Sequence, residues 1–95
     1  MSDASFAIEG EMTIYRAAEL CASLQAALKE GDGDLAIDLT AVTEMDSAGV
    51  QLLLAAGKSA TAAQRLLRLA GHSPAVAEVF GVLGLDADSL WRSPS

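Results

Sequence analysis

The residues best suited to chemistry are Asp46-Ser47-Ala48-Gly49, which stand where a loop leads into an apolar helical stretch. Two interpretations are open. In the first, Asp46 or Ser47 caps the helix by accepting a hydrogen bond from a first-turn N–H, which is worth about 1 kcal/mol. In the second, the Ser47 hydroxyl is exposed and points outward, and Gly49, having no side chain, lets another backbone or a bulky ligand come close. The two interpretations are compatible.

Catalysis by Ser47 is not predicted. The serine lacks the Gly-x-Ser-x-Gly context of a nucleophile elbow, and His72, the only histidine, falls in a predicted turn. The segment 31–34 has neither the Lys-Ser/Thr ending of a phosphate loop nor the acidic spacing of a calcium loop. One cysteine, Cys21, and one histidine cannot build a zinc site. The sequence therefore predicts a protein that is not an enzyme and that has no metal and no cofactor.

Structural roles or surface contacts are expected for three other features of the sequence. Cys21 lies on an apolar helix face and is expected to pack in the core. Lys58, Arg65 and Arg68 form the only basic cluster, for which a solvated edge is favoured over a partner contact. Trp91 either anchors the C-terminal tail or is an exposed contact.

Composition limits the classes of protein. Ninety-five residues, 52% of them apolar, allow one domain over residues 1–95 with one modest core. Six basic and thirteen acidic residues give a net charge of −7, which disfavours nucleic acid and anionic membrane as partners. The mean hydropathy is +0.34, but the longest apolar stretch, 48–56, is too short to cross a bilayer. With Asp3 and no basic residue at the N-terminus, we expect no secretory signal and a cytoplasmic location.

The chemistry-bearing loop is positioned by alternating strands and helices in the order β(β)-α-β-α-β-α. Residues 6–15 favour strand with a bulge, a bend or a break between two short strands at Gly10, a helix follows from about residue 16 to a C-cap at Gly31, and 35–39 alternate as a strand. A loop over 40–46 leads to the second helix, 65–70 favour a strand over a continued helix, and Ser73-Pro74 start a third helix that Gly84 ends. The predicted core is Leu20, Leu24, Leu28, Ile37, Leu39, Val50, Leu54, Val79 and Phe80. This order favours an α/β fold with parallel neighbouring strands.

Three motifs in order resemble those of the STAS family, named for sulphate transporters and anti-sigma factor antagonists. Asp38-Leu39 with the run 42–50 resembles the family signature, Gly10-Glu11-Met12-Thr13 resembles an earlier motif, and 73–85 is similar to its last shared helix. The resemblance covers residues 6–85, leaving a short tail over 86–95 in place of the usual C-terminal helix. It implies a mixed sheet of four to five strands with helices mainly on one face, and no catalytic activity.

In stand-alone members of that family, the serine matching Ser47 is phosphorylated by a partner serine kinase that is often also an anti-sigma factor. Unphosphorylated protein binds the partner, phosphorylation releases it, and a phosphatase resets the switch. The resemblance thus implies Ser47 as phosphoacceptor, with flanking and partner-binding positions at Glu44, Met45, Asp46, Ala48, Gly49 and Val50.

The partner is less closely indicated than the fold. The family often has Leu-Asp where this chain has Met12-Thr13, as in relatives from bacterial signalling and chemotaxis clusters. The alternative function is a regulatory subunit of a bacterial phospholipid-transport ABC ATPase. A small-ligand sensor is a third possibility, which requires a pocket that a filled core of this size is not expected to leave.

Overall fold

The computed structural model describes residues 4–30 and 33–84. Its elements, in chain order, are β1 (Ala4–Ala7), β2 (Gly10–Met12), α1 (Ala17–Lys29), β3 (Leu35–Leu39), β4 (Val42–Met45), α2 (Ser47–Ala62), β5 (Leu67–His72) and α3 (Pro74–Val82). The predicted α/β class is confirmed, with five strands and three helices in the described part. The predicted C-cap Gly31, the tail over 86–95 and Trp91 lie outside the described residues.

The strands form two small sheets with parallel pairing. The three-stranded sheet has the order β1-β3-β5, and β2 pairs with β4 in the other. Helical crossovers lead from β1 through α1 to β3 and from β3 through α2 to β5, the connection that parallel neighbours require, and such crossovers are almost always right-handed. Because both crossovers proceed in the same direction across the sheet, they place α1 and α2 on one face, and these two helices pack against each other.

The mixed sheet expected from the resemblance is therefore parallel in its described pairs. The two short links, β1 to β2 and β3 to β4, do not turn back as hairpins but bend together. The pairing continues through the bend, because the Ile8 N–H donates to the Asp38 carbonyl at 3.0 Å and the Gly10 N–H to the Ala41 carbonyl at 3.1 Å. Gly10 adopts φ +80°, which favours glycine, and this confirms the predicted break between two strands.

The prediction of a loop over 40–46 is wrong in its second half, which is β4. Only Val42 of this strand is fully buried, and no alternation marks it in the sequence, because its pairing with β2 arises only when the chain bends. The bend after β3 is held by Asp38, whose carboxylate accepts from the Thr40 hydroxyl and from the Thr40 N–H. The bond from the hydroxyl has the larger effect, and the two bonds together hold the pKa of Asp38 below its usual value.

The core lies between the sheets and the helices, and most of its predicted members are buried. Two are not: Leu54 is 41% exposed, and Val79 is only half-buried. Leu53, fully buried, faces the core where Leu54 was predicted. The start of α2 is apolar on every side, so its periodicity does not specify which face is covered. Cys21 packs against the core as expected.

Arg65 corrects the prediction of a solvated basic cluster. It is only 4% exposed, while Lys58 and Arg68 are exposed. Its Nε donates to the Gly33 carbonyl at 2.9 Å, and its Nη1 donates to the carbonyls of Ala27, Leu28 and Glu30 at 3.2, 3.0 and 3.0 Å. The guanidinium thus binds the carbonyl end of α1, where the helix dipole favours a cation, and links it to the segment before β3.

The end of α2 aims Arg65 inward. Gln64 takes the left-handed conformation, φ 62°, that usually belongs to glycine in a helix C-terminal motif. The Arg65 N–H then bonds to the Ala60 carbonyl at 2.8 Å and the Gln64 N–H to the Thr61 carbonyl at 3.0 Å, the pattern of a Schellman motif. The chain reverses there and enters β5, which confirms the strand predicted in this region.

The third helix begins as predicted. Ser73 is its N-cap and accepts from the Val76 N–H at 3.3 Å, and Pro74 occupies the first turn. His72, expected in a turn, is the last residue of β5, and its ring stacks on Phe80 with centroids 6.4 Å apart. Among the helices that the structure describes, none has the length and apolar character needed to cross a membrane.

Candidate functional site

The start of α2 separates the two roles that the sequence left open. Asp46 is the N-cap, and its Oδ1 accepts from the Ala48 N–H at 2.9 Å and the Gly49 N–H at 3.3 Å. Ser47 is the first helical residue and is exposed, and its hydroxyl takes part in no hydrogen bond within residues 4–30 and 33–84. The aspartate caps the helix, and the serine hydroxyl is available to another molecule.

Gly49 is buried because the backbone of β2 occupies the place of its side chain. A Cβ built at Gly49 would lie 2.5 Å from the Met12 carbonyl oxygen and 3.1 Å from side-chain atoms of Met12 and Met45. The Asp46 N–H donates to the same carbonyl at 3.3 Å. The close approach that glycine permits is therefore that of another backbone, which fixes the start of α2 against the end of β2.

We expect Gly49→Ala to destabilise the fold by about 1–3 kcal/mol, because backbone atoms cannot move aside as a flexible side chain can. The matched control is Gly81→Ala in α3, where a Cβ meets nothing within 4 Å. In that helix the change is expected to be neutral or to stabilise by up to about 1 kcal/mol. Chemical denaturation of both variants measures the difference. Equal stability of the two variants would contradict the close approach at Gly49.

Some of the other predicted site residues lie at the surface, and others are buried beneath it. Glu44 is exposed, and Met45 and Ala48 are half-buried. Val50, like Gly49, is buried and faces the core, so it positions the site from beneath. The surface that another protein could touch thus consists of Glu44, Ser47 and the outer parts of their neighbours.

A turn over Thr13–Arg16, which we call the 13–16 turn, lies beside Ser47 and was missed by sequence reasoning. The Ile14 N–H donates to Oδ2 of Asp46 at 3.2 Å, so one carboxylate holds both the turn and the start of α2. Ile14 is 68% exposed and Tyr15 is 89% exposed. The signal in the sequence was the pair Ile14-Tyr15, two large apolar residues at the end of the first β-leaning segment. In the structure they follow Met12, the last residue of β2 that pairs with β4.

Arg16 rigidifies this region. Its Nη1 donates to the carbonyls of Glu9 and Glu11 at 2.6 and 3.0 Å, and its Nη2 pairs with the Glu19 carboxylate at 3.2 Å. The Arg16 N–H closes the turn on the Thr13 carbonyl at 3.0 Å. The turn is therefore fixed by bonds at both ends rather than by burial of its side chains.

Two cavities lie away from Ser47. A cavity of about 20 Å³ between α1 and α2, lined by Cys21, Leu24 and Leu52 among others, holds little more than one water molecule. An open groove of about 420 Å³ continues between the helix ends past Lys29 and Ser59. Neither is lined by residues 44–50, and the described residues contain no cluster of side chains suited to a metal ion.

The bent parallel sheets, the packing of α1 and α2 on one face and an exposed serine at the start of α2 define a STAS-type domain. The sequence profile of the family described as "Mlab, STAS domain" matches residues 2–91, and the chain belongs to this family. Among solved structures it is similar to the anti-sigma factor antagonist SpoIIAA in its unphosphorylated form, with a TM-score of 0.70 and 25% identity. That similarity covers 88% of this chain and 74% of the SpoIIAA chain. No curated protein matches the sequence significantly. The family predicted from the three motifs is confirmed.

Proposed function

We propose that this chain is a single-domain, non-catalytic bacterial regulatory module, similar in action to an anti-sigma factor antagonist, in the cytoplasm. It binds a serine kinase of the anti-sigma type through the surface around Ser47, in a signalling or chemotaxis cluster. The kinase phosphorylates Ser47 and is released, and a phosphatase restores binding. The observation that carries the proposal is the exposed Ser47 hydroxyl, left free because Asp46 caps the helix.

The fold is expected to tolerate the phosphate. A phosphoserine adds a charge of roughly −1.5 to −2. At the first helical position it meets the positive end of the helix dipole, which favours an anion by about 0.3–1 kcal/mol. Glu44 and Asp46 oppose this, but Ser47 is exposed and water screens the repulsion.

A bound partner cannot tolerate the phosphate in the same way. An interface packed against a serine hydroxyl has no room for a phosphoryl group, and it excludes the water that solvates the charge. Like charges brought together at an interface cost several kcal/mol. Phosphorylation is therefore expected to act on binding and not on folding.

Support for a non-catalytic role comes from the surroundings of Ser47. Within the described ranges no histidine, lysine or carboxylate accepts or donates a bond at its hydroxyl, so no general base is in position. We infer that Ser47 is a substrate for another enzyme rather than a nucleophile.

The test uses each protein of the source genome that carries a histidine-kinase-like serine kinase domain, purified and incubated with the chain and ATP. We expect one of them to phosphorylate Ser47, as mapped by mass spectrometry of peptides. Ser47→Ala should retain binding and lose release by ATP. Ser47→Asp and Ser47→Glu should weaken binding while the melting temperature stays nearly unchanged. The matched control is Ser23→Asp, an exposed serine on α1, which should bind as wild type does.

Phosphate at another residue, or acidic variants that bind as tightly as wild type, would place the switch elsewhere or remove it. Turnover by the purified protein that Ser47→Ala abolishes would contradict the non-catalytic role.

The second candidate function is a regulatory subunit of a phospholipid-transport ABC ATPase, which the Asp46-x-Ala48-Gly49 motif also fits. A stable complex with the ATPase subunit encoded in a lipid-transport operon, unaffected by kinase and ATP, would establish this function in place of the first.

A further inference from the structure

We propose that Ile14 and Tyr15 of the 13–16 turn form the main anchor of the partner interface. The occupant is a folded protein with an apolar pocket bordered by cationic side chains. This inference rests on the proposed function in one respect only: the partner is the protein that covers Ser47.

The first argument is that Ile14 and Tyr15 are exposed on a turn whose backbone is fixed. Apolar side chains exposed as far as Ile14 and Tyr15 cannot contribute much to folding. The turn is nevertheless fixed, by the Arg16 guanidinium on one side and by Asp46 on the other. A partner that buries these side chains pays little entropy to order the turn, and tyrosine is enriched among the residues that dominate binding energy.

The second argument is continuity with Ser47. Asp46 bonds to the Ile14 N–H with one carboxylate oxygen and to the first turn of α2 with the other. Tyr15 follows Ile14 and Ser47 follows Asp46, and consecutive Cα atoms lie about 3.8 Å apart. One protein surface of ordinary size that covers Ser47 therefore also meets the turn.

The third argument is charge. Glu11 and Glu44 stand opposite each other in the pairing of β2 with β4, and like charges in that position destabilise a sheet. The basic side chain of the region, Arg16, is already bonded to Glu19 and to backbone carbonyls. A cation from a partner would be attracted to these two carboxylates. A second copy of this chain, with the same net charge of −7, would be repelled.

The experiment begins with a photoreactive benzophenone amino acid in place of Tyr15 in cells of the source organism. A matched control carries it in place of Val82, which is also strongly exposed but lies on α3. We expect a covalent adduct with one protein from position 15 and not from position 82. That protein, purified, is then titrated with the chain and its variants.

In the titration, Tyr15→Ala should weaken binding by roughly 10- to 100-fold, as expected for an anchor residue. Tyr15→Phe should largely retain binding, and Val82→Ala should bind as wild type does. Glu44→Gln should weaken binding and reduce its dependence on salt, yet leave the melting temperature equal or higher. Substitution of a residue with a purely structural role would lower both the affinity and the melting temperature.

Each negative result has one meaning. If Tyr15→Ala binds as wild type does while Ser47→Glu does not, the anchor is refuted and the proposed switch stands. If Tyr15→Ala weakens binding to a partner that never phosphorylates Ser47, the anchor stands and the switch is refuted. An adduct with a second copy of this chain, or equal adducts from positions 15 and 82, overturns the proposal.

Discussion

Arg65→Ala is expected to lower the free energy of unfolding by about 3–5 kcal/mol, a large part of the roughly 5–15 kcal/mol that stabilises a typical domain. The variant loses a buried guanidinium that bonds to four backbone carbonyls at the end of α1 and before β3. Water cannot replace all of these bonds without opening the junction between α1, β3 and α2. Urea unfolding followed by circular dichroism measures the change.

Two further variants separate geometry from charge. Arg65→Lys keeps the cation but replaces a planar group with several donors by a single ammonium, so it should lose most of the same stability. Lys58→Ala also removes a cation from α2, but at an exposed position, and should change stability by less than about 0.5 kcal/mol. An Arg65→Ala variant as stable as wild type would show that the end of α1 does not need the hydrogen bonds from Arg65.

Ile37→Ala is expected to cost about 2–5 kcal/mol, because it removes a side chain with no exposed surface from the central strand of the larger sheet. Ile37 pairs with Phe6 of β1 and Leu69 of β5, so the cavity would open in the middle of all three strands. Ile37→Val should cost only about 0.5–1.5 kcal/mol.

Leu54→Ala is the control on the predicted core. Leu54 and Ile37 were both expected to be buried, but Leu54 is 41% exposed on α2. Its truncation should cost about 1 kcal/mol or less. A loss below 1 kcal/mol for Ile37→Ala, or an equal loss for the two variants, would contradict the packing described.

Several elements could be read from local sequence because their signals are local. Ser73-Pro74 specified the start of α3, since a cap and a fixed φ act within one turn. Gly10 marked the break between β1 and β2, since the left-handed conformation strongly favours glycine. The leucines of α1 specified its buried face, since the other positions of that helix are polar or small.

The same sequence misled where the deciding contact is distant. Arg65 was assigned to a solvated edge because its neighbours Lys58 and Arg68 are basic, yet its partners lie 32 to 38 positions earlier in the chain. Its direction depends on Gln64 in a conformation that favours glycine, and no glycine marked the place. The strand β4 likewise exists through pairing with β2, about 30 residues away in sequence.

The sequence by itself determined the family, the order of strands and helices, and the serine at the mouth of α2, because these depend on residue types at short spacing. Only the tertiary structure decided what each residue of the candidate site contacts. It gave the helix cap to Asp46, left the Ser47 hydroxyl without a hydrogen bond among the described residues, filled the space at Gly49 with the backbone of β2, and bonded Ile14 to Asp46, the residue before the serine. The physical reason is that these contacts join residues far apart in the sequence. One oxygen of the Asp46 carboxylate caps α2 locally, but only folding brings the Ile14 N–H within hydrogen-bonding distance of the other oxygen.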